Sequence, residues 1–295
     1  VLSNSFFKKN QVYLKIEVAM KQEAMQYQTI QVSPLTPTIG AEIAGVDLAK
    51  PLTEQQFEEI HAALIQHLVI FFREQTLTTE QHKVFGRRFG KLHIHPTSQM
   101  PGHPEVLEIK ADENSTWVAG EVWHSDVTCE TEPPMGSILH ITKVPDNGGG
   151  DTLFANMYRA YELLSDPMRH FLEGKTAIHE GAQVYAGRQG KDPNRQYPVA
   201  EHPIVRTHPV SGKKALYVNK NFTTRIVGLN KNESEAVLQM LYQHIERDDL
   251  KCRFKWRPGS IAFWDNRCAQ HQAMWDYFPQ KRYGQRVTVA GDKPY

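Results

Sequence analysis

Short β-like runs separated by turn residues dominate this sequence, and they limit the folds open to it. Such runs lie at residues 106–109, 137–144, 152–154, 215–218, 251–256, 260–264 and 286–289, rich in the branched and aromatic residues that suit a pleated surface. Residues 27–32 alternate like a strand, and residues 40–48 do so again after a proline-rich turn. Helical spacing is confined to a few places. Thr53 and Gln56 form a capping box ahead of Phe57, Ile60, Leu64 and Leu68, and Thr78 with Gln81 repeats the signal ahead of Phe85 and Phe89. The run 69–72 between them reads as a strand, and helical periodicity returns only at 157–172 and 233–245. The pattern predicts an α+β, mainly β protein, a sandwich or barrel carrying helical insertions rather than a βαβ array. Residues 183–199 are rich in Gly, Arg, Gln and Pro without a period, and read equally as a lid or as a plain surface loop.

Composition narrows the function classes. Of the 295 residues, 40% are hydrophobic and 23% charged, a globular balance that excludes a disordered chain. Thirty-four Lys and Arg against 33 Asp and Glu leave a net charge of +1, so no global field draws the chain to nucleic acid or to an anionic membrane. Anion recognition has to be local. Cys129, Cys252 and Cys268 form no CxxC pair, which argues against a disulfide framework or zinc ribbon and for a reducing cytoplasm. The apolar run at 68–72 is far below the roughly 18 residues of a membrane span. Lys15, Glu17 and Lys21 interrupt any signal-peptide core. With Val at position 1 and methionines at 20 and 25, residues 1–25 read as a leader or extension.

The segment Val122-Trp123-His124-Ser125-Asp126-Val127-Thr128 places an imidazole and a carboxylate on one side of an extended chain. Such a pair is often a mere surface pair, and a third ligand would make it a metal site. His271, at what reads as a late strand end, is the candidate. Two histidines and a carboxylate leave metal positions open, as in non-haem Fe(II) oxygenases. Arg282 and Arg286, four apart on one strand face, offer planar forks to two separate anions; the plainer reading is a solvated basic strand end that includes Lys281. The Gly148-Gly149-Gly150-Asp151-Thr152 turn lacks the lysine of a phosphate loop and reads as a hairpin.

Taken in order, Trp123-His124-Ser125-Asp126-Val127-Thr128, Gly149-Gly150-Asp151-Thr152-Leu153, the run from Arg206 to Lys213, Phe222-Thr223-Thr224-Arg225-Ile226-Val227 and Trp264-Asp265-Asn266-Arg267 through Gly291-Asp292-Lys293-Pro294 resemble the taurine dioxygenase family of Fe(II)- and 2-oxoglutarate-dependent oxygenases. The resemblance spans about residues 30–295. It implies a double-stranded β-helix, or jelly roll, with flanking helices, as a single dioxygenase domain over residues 26–295. It also implies that His124, Asp126 and His271 ligate iron, that Thr152 and Arg282 bind the 2-oxoglutarate carboxylate, and that O2 is consumed. Arg286 would face the substrate anion, helped by His95 and by the backbone of Val127, with Phe222 as an apolar wall. Taken alone, His95 also reads as a turn histidine and Phe222 as a core aromatic.

The implied reaction hydroxylates the carbon beside a sulfonate, releasing sulfite, an aldehyde, succinate and CO2. Taurine or a related alkanesulfonate is the first substrate reading; an alkyl sulfate or another small anion such as a phenoxyacetate is the second, and a non-catalytic jelly roll whose histidines, with His93 and His95 added, hold a metal for structure or sensing is the third. A homo-oligomer, dimer or tetramer, is expected from the same resemblance. Where the taurine enzymes carry Tyr, Asn and an aromatic, this chain has Ser98, Gly120 and Gly181. Each exchange predicts a roomier pocket and a bulkier or longer substrate.

Overall fold

Thr53 and Thr78 start helices as their spacing predicts. In the computed structural model, which describes residues 27–96, 98–186 and 196–295, each threonine hydroxyl accepts from the N–H three residues on, and each partner glutamine returns the bond. The helices α1 (Glu54–His67) and α2 (Thr79–Arg87) follow. The expected leader, residues 1–25, and most of the expected lid lie outside the described residues.

The strands are β1 (Gln31–Pro34), β2 (Ala41–Ala44), β3 (Val69–Phe72), β4 (Val106–Ala111), β5 (Gly136–Lys143) and β6 (Thr152–Asn156), then β7 (Thr176–Glu180), β8 (Val199–Pro203), β9 (Val205–Thr207), β10 (Lys214–Leu216), β11 (Thr223–Ile226), β12 (Lys251–Phe254), β13 (Ser260–Asp265), β14 (Ala269–Ala273) and β15 (Arg282–Val289). The largest sheet runs β1-β2-β3-β13-β5-β15-β4, and three small sheets are β12-β6-β14, β11-β7-β8 and β10-β9. Every pairing is antiparallel except β2 with β3, the two strands joined through α1.

The predicted helix at 157–172 is two, α3 (Met157–Glu162) and α4 (Asp166–Leu172), because Ser165 caps a new start and Pro167 sits in its first turn. A single turn, α5 (Ala182–Tyr185), follows β7. The helix expected at 233–245 is α6 (Lys231–Ile245), opened by an Asn230–Glu233 capping box.

Alternation along the central strands supplies two cores. One face of the large sheet packs Phe71, Ile141, Ala262 and Trp264 against Phe154, Phe254 and Ala269 of β6, β12 and β14, with the Phe71 and Phe254 rings stacked at 3.9 Å. The other face packs Ile70, Phe72, Ile138, Phe263 and Val287 against Ile60 and Leu64 of α1 and Phe85 of α2. The chain is thus mainly β, with sheets face to face and helices outside. The 122–130 loop meets β14 through His124 and His271 and reaches β15 through Asp126 and Arg286.

Candidate active site

The 122–130 loop meets β14 through a two-way backbone pair: the His124 N–H donates to the His271 carbonyl at 3.1 Å, and the His271 N–H to the His124 carbonyl at 2.9 Å. That pair sets two imidazole rings 4.1 Å apart. Asp126 follows on the same side, its Oδ1 lying 3.6 Å from His124 Nε2. One nitrogen of each histidine and one Asp126 oxygen all lie within 4.8 Å of one another, and all three residues are buried.

Each side chain is held from behind. His124 Nδ1 lies 2.7 Å from the Val122 carbonyl; a carbonyl can only accept, so Nδ1 carries a proton, and in the neutral ring Nε2 is the nitrogen with the lone pair. Ser137 Oγ donates to Asp126 Oδ2 at 2.7 Å and Arg286 Nη1 to Oδ1 at 2.7 Å, while Asn266 accepts from the Asp126 N–H and donates to Ser137. Burial alone would raise the Asp126 pKa, but the Arg286 charge beside it holds the carboxyl well below its usual range. Burial, reinforced by His124, pushes the His271 pKa well below its ordinary value. The site therefore presents the Asp126 carboxylate and a neutral His271 imidazole, with His124 Nε2 beside them.

On β15, Arg282 and Arg286 share a face with Gly284 between them. Pairing sets Arg282 opposite Ala111, and Arg286 opposite both Leu107 and Leu139. Both guanidinium groups are buried, so the reading of a solvated basic strand end is overturned. Arg282 Nε and Nη2 and Arg286 Nε have no hydrogen-bond partner. Thr152 Oγ1 accepts from Trp256 Nε1 at 2.9 Å, and because an indole N–H only donates, the hydroxyl proton is left for another acceptor. The glycine turn has a use after all. A Cβ on Gly150 would lie 3.0 Å from Arg282 Cδ, on a backbone with φ of +82°, so only glycine lets that arginine pass.

A cavity of about 210 Å³ opens beside these groups. His124, Asp126, His271, Thr152, Arg282, Arg286, His95, Val127 and Phe222 all line it. Every residue expected at the site is thus in one place. His95 Nδ1 accepts from the Ser98 N–H at 3.2 Å, which puts the ring proton on Nε2, and burial together with Arg286 pushes its pKa down to about 3. Leu107, Ile109, Leu139 and Val184 add apolar wall, and Trp117 stands half-exposed at the mouth. His93 belongs neither to this three-residue group nor to the cavity lining, and its Nε2 pairs with Glu130 at 2.7 Å.

The residues fit a metal and a dicarboxylate. Two imidazoles and a carboxylate suit a first-row divalent ion, His271 Nδ1 is buried without a protein partner, and the unpartnered Arg282 nitrogens suit a carboxylate. A second three-residue group, His208, Asp265 and Cys268, does not fit an ion. Both Asp265 oxygens are taken by Arg267, and His208 Nε2 bonds Oδ2, while His208 Nδ1 accepts from the Val210 and Ser211 amides.

The sequence profile described as taurine catabolism dioxygenase TauD, TfdA family matches residues 31–288. The chain belongs to this family. An alpha-ketoglutarate-dependent sulfonate dioxygenase of Saccharomyces cerevisiae is 38% identical over 283 residues, covering 90% of this chain and 68% of that protein. An alpha-ketoglutarate-dependent sulfate ester dioxygenase of Pseudomonas putida is 36% identical over 278 residues, covering 90% and 91%. The crystal structure of a taurine dioxygenase from Burkholderia xenovorans superposes with a TM-score of 0.79 at 42% identity, over 90% of this chain and 91% of that one. This TauD-family chain is a 2-oxoglutarate-dependent dioxygenase.

Of the three positions expected to open the pocket, Ser98 and Gly120 line the cavity. Gly181 does not widen it: a Cβ there would meet the Pro198 carbonyl at 3.1 Å and Cys129 Sγ at 3.2 Å. Sequence reasoning missed Ser137, Asn266 and Trp256 as supports, and the bond from Arg286 to Asp126. Asn266 lies within a recognised motif, but Ser137 and Trp256 read as ordinary strand residues and carry no signal of their own.

Proposed function

We propose that the chain is an Fe(II)- and 2-oxoglutarate-dependent dioxygenase with a jelly-roll core over residues 26–295, acting on an organosulfur anion with an apolar chain. The reading rests on one observation: three buried ligand-type side chains and two buried arginines with unpartnered N–H groups share one cavity. In this reading His124, Asp126 and His271 hold the metal, leaving coordination positions open. Arg282 and the Thr152 hydroxyl seat the distal carboxylate of 2-oxoglutarate. Iron, 2-oxoglutarate and O2 together supply the oxidising chemistry, one oxygen atom going to succinate, formed with CO2, and the other into a substrate C–H bond.

The remaining work falls to the chain. Arg286, already bonded to Asp126 through Nη1, turns its Nε toward the sulfonate. His95 Nε2–H and the Val127 amide complete the anion seat, and Phe222 walls the chain beyond it. A clamp tied to a metal ligand fixes the distance between anion and metal, so the carbon next to sulfur is the one presented. Hydroxylation there gives an adduct that collapses to an aldehyde and sulfite.

The apolar walls and the room at Ser98 and Gly120 suit an alkanesulfonate or an alkyl sulfate longer than taurine. Among the described lining residues the carboxylates are Asp126, engaged by Arg286 and Ser137, and Glu108, which accepts from the Tyr283 hydroxyl. Asp126 is spent on these bonds, and Glu108, with its second oxygen outside the Tyr283 bond, is the acid left among them to meet an ammonium group. The alkyl sulfate reading is favoured by the space at Ser98 and Gly120, and it would release sulfate. By family resemblance we further infer a cytoplasmic dimer or tetramer, which light scattering would size; among the described residues no helix is long and apolar enough to cross a membrane.

Turnover with Fe(II), ascorbate, O2 and 2-oxoglutarate against taurine, longer alkanesulfonates, alkyl sulfates and phenoxyacetates tests the reading. Succinate with sulfite is expected from alkanesulfonates longer than taurine. Sulfate release would establish the ester reading, and product from phenoxyacetates alone would overturn both.

A further inference from the structure

Among the described residues, Val127 is the one β-branched residue with a left-handed backbone, at φ 51°. That conformation is an outlier for a branched side chain, and it persists only where the surroundings over-determine it. The restraint is visible one residue on. Thr128 is fully buried; its Oγ1 lies 2.9 Å from His179 Nδ1 and accepts from Asn219 Nδ2 at 3.0 Å, and its carbonyl lies 2.9 Å from His202 Nε2. Asn219 in turn accepts from the Phe222 N–H through Oδ1 at 2.9 Å, and its own N–H donates to Thr223 Oγ1 at 2.9 Å. The Phe222 carbonyl accepts from the Glu180 N–H at 2.8 Å.

Thr128, His179 and Asn219 are all buried and none of them lines the cavity, whereas their neighbours Val127, Asn221 and Phe222 do. Val127, Cys129, Tyr185 and Phe222 pack as one apolar cluster over the same ground. We propose that Thr128, Asn219 and His179 form a positioning node, borne on the β11-β7-β8 sheet, that holds Val127 left-handed and keeps the Phe222 wall in register with the metal ligands. The anion seat and the wall behind it then move as one body. The node's contribution is coupling, the fraction of 2-oxoglutarate turnovers that oxidise substrate, because a small displacement of the C–H bond is costly while cosubstrate chemistry proceeds regardless. The inference rests on the proposed roles of Val127 and Phe222.

Thr128→Val removes the hydroxyl at constant shape, Thr128→Ser keeps it, and Asn219→Ala cuts the other arm. Thr128→Val and Asn219→Ala are expected to raise the KM for the organosulfur substrate about tenfold and the succinate-to-sulfite ratio about threefold. Anaerobic calorimetry should find metal and 2-oxoglutarate affinities within about twofold of wild type, and Thr128→Ser should couple normally. A node that merely supports the fold would lower the melting temperature and leave the ratio unchanged, and that result overturns the proposal. A crystal structure of Thr128→Val needs no substrate: Val127 is expected to leave the left-handed region, and its retention there would overturn the proposal even if wild type accepts no organosulfur compound. That last failure, by itself, would refute only the substrate reading.

Discussion

Asp126 answers to several partners at once: Arg286 on Oδ1, Ser137 on Oδ2, and Asn266 on its amide. Removing it strips a metal ligand and strands Arg286, a buried charge whose uncompensated cost is about 3 kcal/mol or more. Asp126→Ala is therefore expected to lose metal binding and turnover and to melt lower, by calorimetry and thermal unfolding. Full activity would mean that the metal lies elsewhere. Arg282 shares its anion only with the Thr152 hydroxyl, so Arg282→Ala should weaken 2-oxoglutarate by about tenfold to a hundredfold, the worth of one or two charged hydrogen bonds. Metal affinity should stay within about twofold, since Arg282 makes no bond to a ligand; equal loss of both would contradict that separation. Residue type and spacing suggested His124, Asp126, His271 and the two arginines, and the resemblance to the taurine dioxygenase family gave these residues their roles. Their supports were not legible. Ser137, one strand over, and Trp256, which frees the Thr152 hydroxyl, meet the site only through sheet pairing, which a linear reading does not contain.

At the scale of elements, capping residues and apolar periods marked the helices and the central strands well. The strands that escaped are β7, β8, β9 and β11, whose runs carry His179, His202, Arg206 and Thr223 turned inward. Buried polar residues erase the alternation by which a strand is recognised, and here they stand at or directly behind the site. The helix caps are local and should behave so. Thr78→Ala removes the hydroxyl that accepts from the Gln81 N–H in the α2 capping box, about 1 kcal/mol, and for a chain of this size should lower the melting temperature by about 2–3 °C. The 2-oxoglutarate affinity should be untouched. An unchanged melting temperature would mean that the box adds nothing.

The whole molecule carries an acid sensitivity in its buried histidines. Burial, with a neighbouring histidine in each case, pushes His82 and His179 down to about 3. The unfolded chain takes up these protons near the ordinary value of 6.5, so between there and about 3 the unfolded state binds more protons and stability falls as pH falls. The slope is about 1 kcal/mol per pH unit for each histidine when fully expressed. Melting temperature measured in chelator should be level above about pH 7 and fall steeply below about pH 6. A His82→Gln variant should show a shallower fall, and equal melting temperatures for wild type at about pH 7.5 and about pH 5 would contradict the assignment. The global layout was legible from the density of short strands, and the layering of helices outside facing sheets follows from where the apolar faces point. The joining of β2 to β3 in parallel through α1 was not, because pairing direction is set by which neighbours close the core.

The most direct test is anaerobic. Fe(II)-loaded protein titrated with 2-oxoglutarate is expected to develop the visible absorption of an iron–2-oxo-acid chelate with one equivalent bound. The band should be absent from Asp126→Ala and displaced to higher cosubstrate concentration in Arg282→Ala. Formation of the same band at wild-type concentrations in both variants would place metal and cosubstrate outside the cavity formed by His124, Asp126, His271 and Arg282, and would contradict the site assignment.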